Sequence, residues 1–155
     1  MKLRTLFTAL FILIVGSAAI SAASPSDNPV RWRTIVKATG ANTGTVTFKA
    51  LISEGWHLYG LNIPEGGPKA TSFDLKSSTD IKFTGPITPS RKPLTVDDPL
   101  FGLKLDWWDT NVEFTVPFKV TGAAPRIECK INYMSCDGNS CRPPKTETIA
   151  TPVKL

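Results

Sequence analysis

Thr45-Val46-Thr47-Phe48-Lys49-Ala50-Leu51 decides the fold class, because its apolar and polar side chains alternate strictly. That is the period of a strand with one face in a core and the other in water. Val112-Glu113-Phe114-Thr115-Val116 repeats the pattern and is closed by Pro117. Trp32 to Ala38, Trp56 to Tyr59, Ser72 to Leu75, Ile81 to Phe83, Ile127 to Tyr133 and Thr146 to Val153 are further β-rich runs, separated by Gly, Pro, Asn and Asp. No stretch carries a long helical period. About eight short strands at this spacing predict an all-β fold, an immunoglobulin-like β-sandwich, with no internal repeat. Two long loops are expected, Gly60 to Thr71 and Gly85 to Lys104, and the second holds Leu100, Phe101 and Leu103, which a purely solvated loop would not need.

Upstream of the strands, Met1-Lys2-Leu3-Arg4 is a short basic stretch, followed by an apolar run from Leu6 to Ala19 and the small residues Ser21-Ala22-Ala23. This reads as a signal peptide over residues 1–23, cut after Ala23 or near Ser21; the alternative is an uncleaved membrane anchor. No cysteine follows the run to take a lipid. Ser24 to Pro29 reads as a mobile arm, so the exported domain is 24–155, one domain with a proper core. Removing Lys2 and Arg4 lowers the Lys and Arg count from 18 to 16, against 13 acids. The remaining basic residues are scattered, which points away from nucleic acid and, once the leader is cut, away from a membrane surface.

The chain has three cysteines, so at most one intramolecular disulfide forms and one thiol is left over. Ile127 to Cys136 reads as a single strand. Parity then puts Ile127, Cys129, Ile131 and Tyr133 on one face and Lys130, Asn132, Met134 and Cys136 on the other. Cys129 falls on the apolar face as a small buried hydrophobe. Cys136 and Cys141 are separated by Asp137-Gly138-Asn139-Ser140, residues that favour tight turns, so chain reversal brings their sulfurs within bonding range near the tip of the last hairpin. Spacing leaves two readings open, a structural staple and a redox couple. Two cysteines are too few for a closed zinc site.

Asn132-Tyr133-Met134-Ser135-Cys136-Asp137-Gly138-Asn139-Ser140-Cys141-Arg142-Pro143-Pro144 resembles the signature of the N-terminal periplasmic domain of DsbD, the thiol:disulfide interchange protein, in which a tyrosine precedes the first cysteine by three and two prolines follow the second. Gly55-Trp56-His57-Leu58-Tyr59 is similar to that family's Gly-aromatic-aromatic-Leu-Tyr strand. Gly66-Gly67-Pro68 is common in its relatives, and Asp97-Asp98-Pro99-Leu100-Phe101-Gly102 resembles its acidic, aromatic cap loop. The likeness covers the mature chain. The chain departs from the family in a cysteine spacing one residue shorter and in a cysteine, Cys129, where a core aliphatic is usual.

The resemblance implies an immunoglobulin-like sandwich and a periplasmic or otherwise exported thiol:disulfide oxidoreductase component. Its dithiol, Cys136 and Cys141, reduces exported disulfide-bonded proteins and is re-reduced by a thioredoxin-like or DsbD-type protein. This sequence carries neither the membrane electron channel nor the thioredoxin domain of DsbD, so a separate reductant is expected. No cofactor is called for. Tyr59, Asp97, Asp98, Leu100 and Phe101 are implied as supporting or cap residues, and Cys141 as the cysteine that meets the partner, with Cys136 resolving. Arg142 and Lys145 would favour a thiolate, and Asp137, Asp97 and Asp98 would oppose it. His57 shares a face with Tyr59 and stands as a satisfied residue rather than a catalyst. Of Trp107 and Trp108, at the start of a strand, one is expected in the core and one at a surface. Two other functions stay open: a protein-binding sandwich with a structural disulfide, and a soft-metal (copper) carrier using Cys136, Cys141, Met134 and His57.

Overall fold

A computed structural model describes residues 28–155; the expected leader and residues 24–27 of the arm lie outside the described residues. Twelve strands and no helix make up the described chain. The largest sheet orders β1 (Val30–Gly40), β2 (Thr43–Ile52), β9 (Val112–Val120) and β5 (Ile81–Phe83), with β6 (Thr88–Pro89) also paired to β9. A second sheet orders β12 (Lys145–Pro152), β10 (Arg126–Tyr133) and β4 (Ser72–Asp74). A third orders β11 (Ser135–Cys136), β3 (His57–Tyr59), β8 (Leu103–Trp108) and β7 (Leu94–Asp98). Every strand pair is antiparallel.

Alternation builds the core. Val46, Phe48 and Ala50 of β2 meet Val112, Phe114, Val116 and Phe118 of β9 in one buried layer, and Ile127, Cys129, Ile131 and Tyr133 of β10 supply the facing layer. Leu58 of β3 and Trp108 of β8 close it from the third sheet. Phe114 stands at its centre, with ring centroids of Phe73, Trp108 and Trp32 at 4.9, 5.1 and 6.0 Å. This is the sandwich that the alternation predicts. Among the described residues no helix is long and apolar enough to cross a membrane.

Five expectations need correction. The strand at Val112 does not stop at Pro117 but runs to Val120. Pro117 turns its carbonyl to Thr84 N at 2.9 Å, on the side where the neighbouring strand is interrupted between β6 and β5, so a missing donor costs no ladder bond there. The segment Gly85 to Lys104 is not one loop, since it contains β6, β7 and the start of β8. Trp107 and Trp108 therefore end a strand. The arm is tied down by its last residues: Asn28 Nδ2 donates to Tyr133 Oη at 3.0 Å and to Glu147 Oε1 at 2.9 Å, and Pro29 is buried. Finally, Ile127 to Cys136 is not one strand. The chain leaves the second sheet after Tyr133 and joins the third at Ser135, so parity does not carry through Met134 and both Ser135 and Cys136 are buried.

Cys129 sits where parity put it, fully buried and unbonded to another sulfur. Burial, with a smaller contribution from the Asp74 carboxylate, pushes its thiol up to about 12. Native protein treated with a thiol reagent at pH 7 is expected to leave Cys129 unlabelled until denaturant is added. Cys129→Ala should lower stability by about 1 kcal/mol, or roughly 3 to 6 °C in Tm. Rapid labelling of Cys129 in the folded state would contradict this packing.

Candidate functional site

Cys136 and Cys141 are joined by a disulfide with Cα atoms 4.1 Å apart. The turn between them is held by its own polar groups. Asp137 N donates to Ser140 O at 3.0 Å, and Asp137 Oδ1 accepts from Asn139 N at 2.9 Å and Ser140 N at 2.8 Å. Gly138 supplies the left-handed backbone the reversal needs, at φ 87°. Arg142 N then donates to Ser135 O at 2.9 Å and returns the chain alongside β11.

The two sulfurs differ in access. Cys136 has no exposed surface, whereas Cys141 is partly exposed. Strand β11 lies against β3, with Cys136 opposite His57 and Ser135 opposite Leu58. Strands β3 and β8 each show alternate residues to the outside of the third sheet. His57 and Tyr59 come from β3, and Leu103, Leu105 and Trp107 from β8. Tyr59, Leu105 and Cys136 form the centre of a second apolar cluster, and Ile63, Phe101, Leu103, Trp107, Met134 and Cys141 pack around it.

Asp98 organises the facing turn. It is buried, and its Oδ2 accepts from Tyr59 Oη at 2.8 Å. Its Oδ1 accepts from Leu100 N at 2.8 Å and Phe101 N at 3.2 Å, and its backbone carbonyl accepts from Gly102 N at 2.8 Å. One carboxylate thus shapes the turn and fastens it to β3. Phe101 is set edge-on to the Tyr59 ring at 5.9 Å.

The other residues singled out in the sequence fall unevenly. Leu100 is 42% exposed and stands outside the cluster. Asp97 is exposed and pairs with Lys104 at 3.5 Å. Trp108 lies in the main core, and Trp107 is half-buried on the cysteine side. The Arg142 guanidinium lies over the Trp56 ring, 5.3 Å from its centroid. Lys145 pairs with Glu147 at 3.3 Å. Asp137 sits below the usual carboxylate range, held by the N–H groups of Ser140 and then Asn139.

Leu103, Leu105 and Trp107 were missed as site residues, though their alternation in Leu103-Lys104-Leu105-Asp106-Trp107 was there to be read. The stacking of His57 on Trp107, at 3.9 Å between centroids, left no signal in the sequence. Among the described residues no group of three or more His, Cys, Asp or Glu is placed to hold a metal ion.

Both tyrosines of the chain are pushed well above their ordinary pKa. Burial is the first cause for each, followed by a hydrogen bond to Asp98 for Tyr59 and to Glu147 for Tyr133. A raised tyrosine favours the folded state below the unfolded value of about 10, and that contribution is lost as pH rises through the folded value. An alkaline absorbance titration should therefore show no tyrosinate at about pH 10, and both rings should ionise only further up, together with unfolding. One ring titrating near pH 10 in folded protein would refute this placement of the hydroxyls. Tyr59→Phe, which strands Asp98 Oδ2, should cost about 1 to 3 kcal/mol.

Comparison with known proteins agrees with this arrangement. Residues 29–152 match the family described as thiol:disulfide interchange protein DsbD, N-terminal. Among solved structures, the N-terminal periplasmic domain of ScsB from Proteus mirabilis superposes with a TM-score of 0.58 at 17% identity, over 83% of this chain and 48% of that one. This chain thus spans about half of that structure. The Neisseria meningitidis DsbD N-terminal domain in its reduced form gives a TM-score of 0.48 at 15% identity, over 80% of this chain and 86% of that one. No curated protein matches by sequence. At 17% identity the ScsB likeness speaks to the fold alone, and the family match covers nearly all the described residues. The chain belongs to the family of the DsbD N-terminal domain.

Proposed function

We propose that the Cys136/Cys141 couple passes reducing equivalents between a thioredoxin-like or DsbD-type reductant and disulfide-bonded exported proteins, in the periplasm or an equivalent compartment. The observation that carries this reading is the unequal access of the two sulfurs, Cys136 sealed and Cys141 partly open. Exchange needs one sulfur that a partner can reach and a second beside it to release the partner.

In the reduced domain the Cys141 thiolate attacks a partner disulfide. A Cys141–partner bond forms, and the partner's other sulfur leaves with the electron pair. Cys136 then attacks Cys141 Sγ, closes the domain's own disulfide and expels the second partner sulfur as a thiolate. The partner is reduced and the domain oxidised by two electrons. Re-reduction runs the same steps backwards from a reductant's thiolate. Charge favours these roles: Arg142 follows Cys141, while the Asp137 carboxylate, ionised at neutral pH, adjoins Cys136 and disfavours a thiolate there. Phe101 acts as the cover of the pair, tied down through Asp98 and Tyr59, and is moved aside by a partner.

The roles separate in a trapping experiment. The partner is a thioredoxin-fold protein without its resolving cysteine, activated as a mixed disulfide with a small aromatic thiol. Cys136→Ser should accumulate the protein–protein mixed disulfide on non-reducing electrophoresis, and Cys141→Ser should form it on the order of tenfold more slowly, because access limits exchange. The reverse pattern would swap the roles, and no complex with either would favour a binding module with a structural disulfide. The couple's equilibrium potential should lie well above about −300 mV, where structural disulfides sit.

A further inference from the structure

His57 is the chain's single histidine, and it is 7% exposed in the middle of the site. It lies directly opposite Cys136 in the antiparallel pairing of β3 with β11. Directly opposed residues share a face, with Cβ atoms about 4.5–5.5 Å apart. The imidazole is clamped, stacked on Trp107 at 3.9 Å and 25°, with Tyr59 edge-on at 5.0 Å and 87°. Its Nε2 is buried and has no hydrogen-bond partner. A phenyl ring would fill the same slot without leaving a polar nitrogen unpaired, so the nitrogen points to a role that needs it.

Three carboxylates face the ring from three elements: Asp98 at the end of β7, Asp137 after β11 and Asp109 after β8. All three raise its pKa, yet desolvation is larger and the net shift is downward. The fixed charge of Arg142 lies over the neighbouring Trp56. At neutral pH the imidazole is therefore uncharged, and it can accept a proton.

We propose that His57 is the general base for Cys136, taking its Sγ proton in the step that releases a partner from Cys141. The proposal rests on the exchange reading above. Cys136 has no exposed surface, so bulk water does not reach its thiol, and burial disfavours the free thiolate. In the release step the Cys136 Sγ–H proton passes to the imidazole as Cys136 Sγ bonds to Cys141 Sγ. The Cys141–partner S–S bond breaks, and the partner sulfur leaves with the electron pair. The imidazolium then gives its proton to that thiolate or to water. In re-reduction the imidazole relays a proton, taken from the attacking reductant thiol or from water, to the departing Cys136 sulfur.

The test follows the reduced full chain reacting with dithiobis(nitrobenzoate), which releases a coloured thiolate twice: first on attack by Cys141, then on closure by Cys136. The rate of the second phase is expected to level off between about pH 7 and pH 8, because a neutral base is already there to take the proton. His57→Phe and His57→Gln should slow the second phase relative to the first by on the order of a hundredfold at pH 7. They should also convert the plateau into a rise of about tenfold per pH unit, the signature of thiolate formation in bulk solvent. A second phase that keeps its rate and its plateau in both variants overturns the proposal. So does an equal slowing of both phases, which would mark His57 as a shaping residue. If neither variant folds, the wild-type profile decides: a straight tenfold rise per unit through that range excludes an internal base. Absence of any first phase would instead remove the exchange reading itself.

Discussion

A small sheet that is apolar on both faces has to be covered twice, and that constraint arranges everything near the cysteines. In the third sheet, Leu58 and Trp108 point into the sandwich core, while Tyr59, Leu105 and Trp107 point away from it. The first face is covered by the layers of β2, β9 and β10. Among the described residues no further sheet covers the second, which is closed by two turns, the disulfide turn after Ser135 and the Asp98 turn before Gly102. Placing the Cys136–Cys141 disulfide there gives it a rigid floor and a cover that is not part of the core. Such division suits a site that must be reached by another protein, since surface loops on a fixed scaffold move at low cost while packed strands do not.

The disulfide contributes modestly to the fold. Closing a loop of this length is worth about 2 kcal/mol by chain entropy, small beside what the aromatic layers around Phe114 bury. Nor does the turn depend on it for shape, because Asp137 binds two backbone N–H groups of the turn itself and Gly138 takes the positive φ. A turn that keeps its form when the S–S bond opens holds the two thiols near one another, the arrangement in which a second thiol can resolve a mixed disulfide.

How far the sequence discloses this architecture depends on whether the information is local. Thr45 to Leu51 and Ile127 to Tyr133 alternate because each strand keeps one partner face throughout, so the core and the buried Cys129 are legible. The same rule fails one residue past Tyr133, where the chain changes sheets, and nothing in Tyr133-Met134-Ser135 announces the change. Pro86, Pro89 and Pro93 hid β7 and β8 by suggesting a long loop, although Pro89 ends an edge strand and Pro93 precedes one. The family signature supplied the cysteine pair and the acidic turn. It did not separate Asp97 from Asp98, one on the surface with Lys104 and one buried under Tyr59. Adjacent strand residues face opposite ways, so that distinction rests on a register set from β8, far along the chain from β3.

The same register bears on how the site opens in the proposed reaction. Phe101 is held over the cluster through Asp98, whose bonds to Leu100 N, Phe101 N and Tyr59 Oη are the polar ties between turn and floor. Gly102, at φ 63°, takes the left-handed backbone that ends the turn. Moving Phe101 aside needs no change in β3 or β8 and leaves the carboxylate on Tyr59 as the anchor. Cys136 has no exposed surface, and its strand β11 is bonded to β3 beside it. In the proposed exchange an incoming sulfur meets Cys141 first, because Cys141, bridged to Cys136 after the turn, is the partly exposed one of the two.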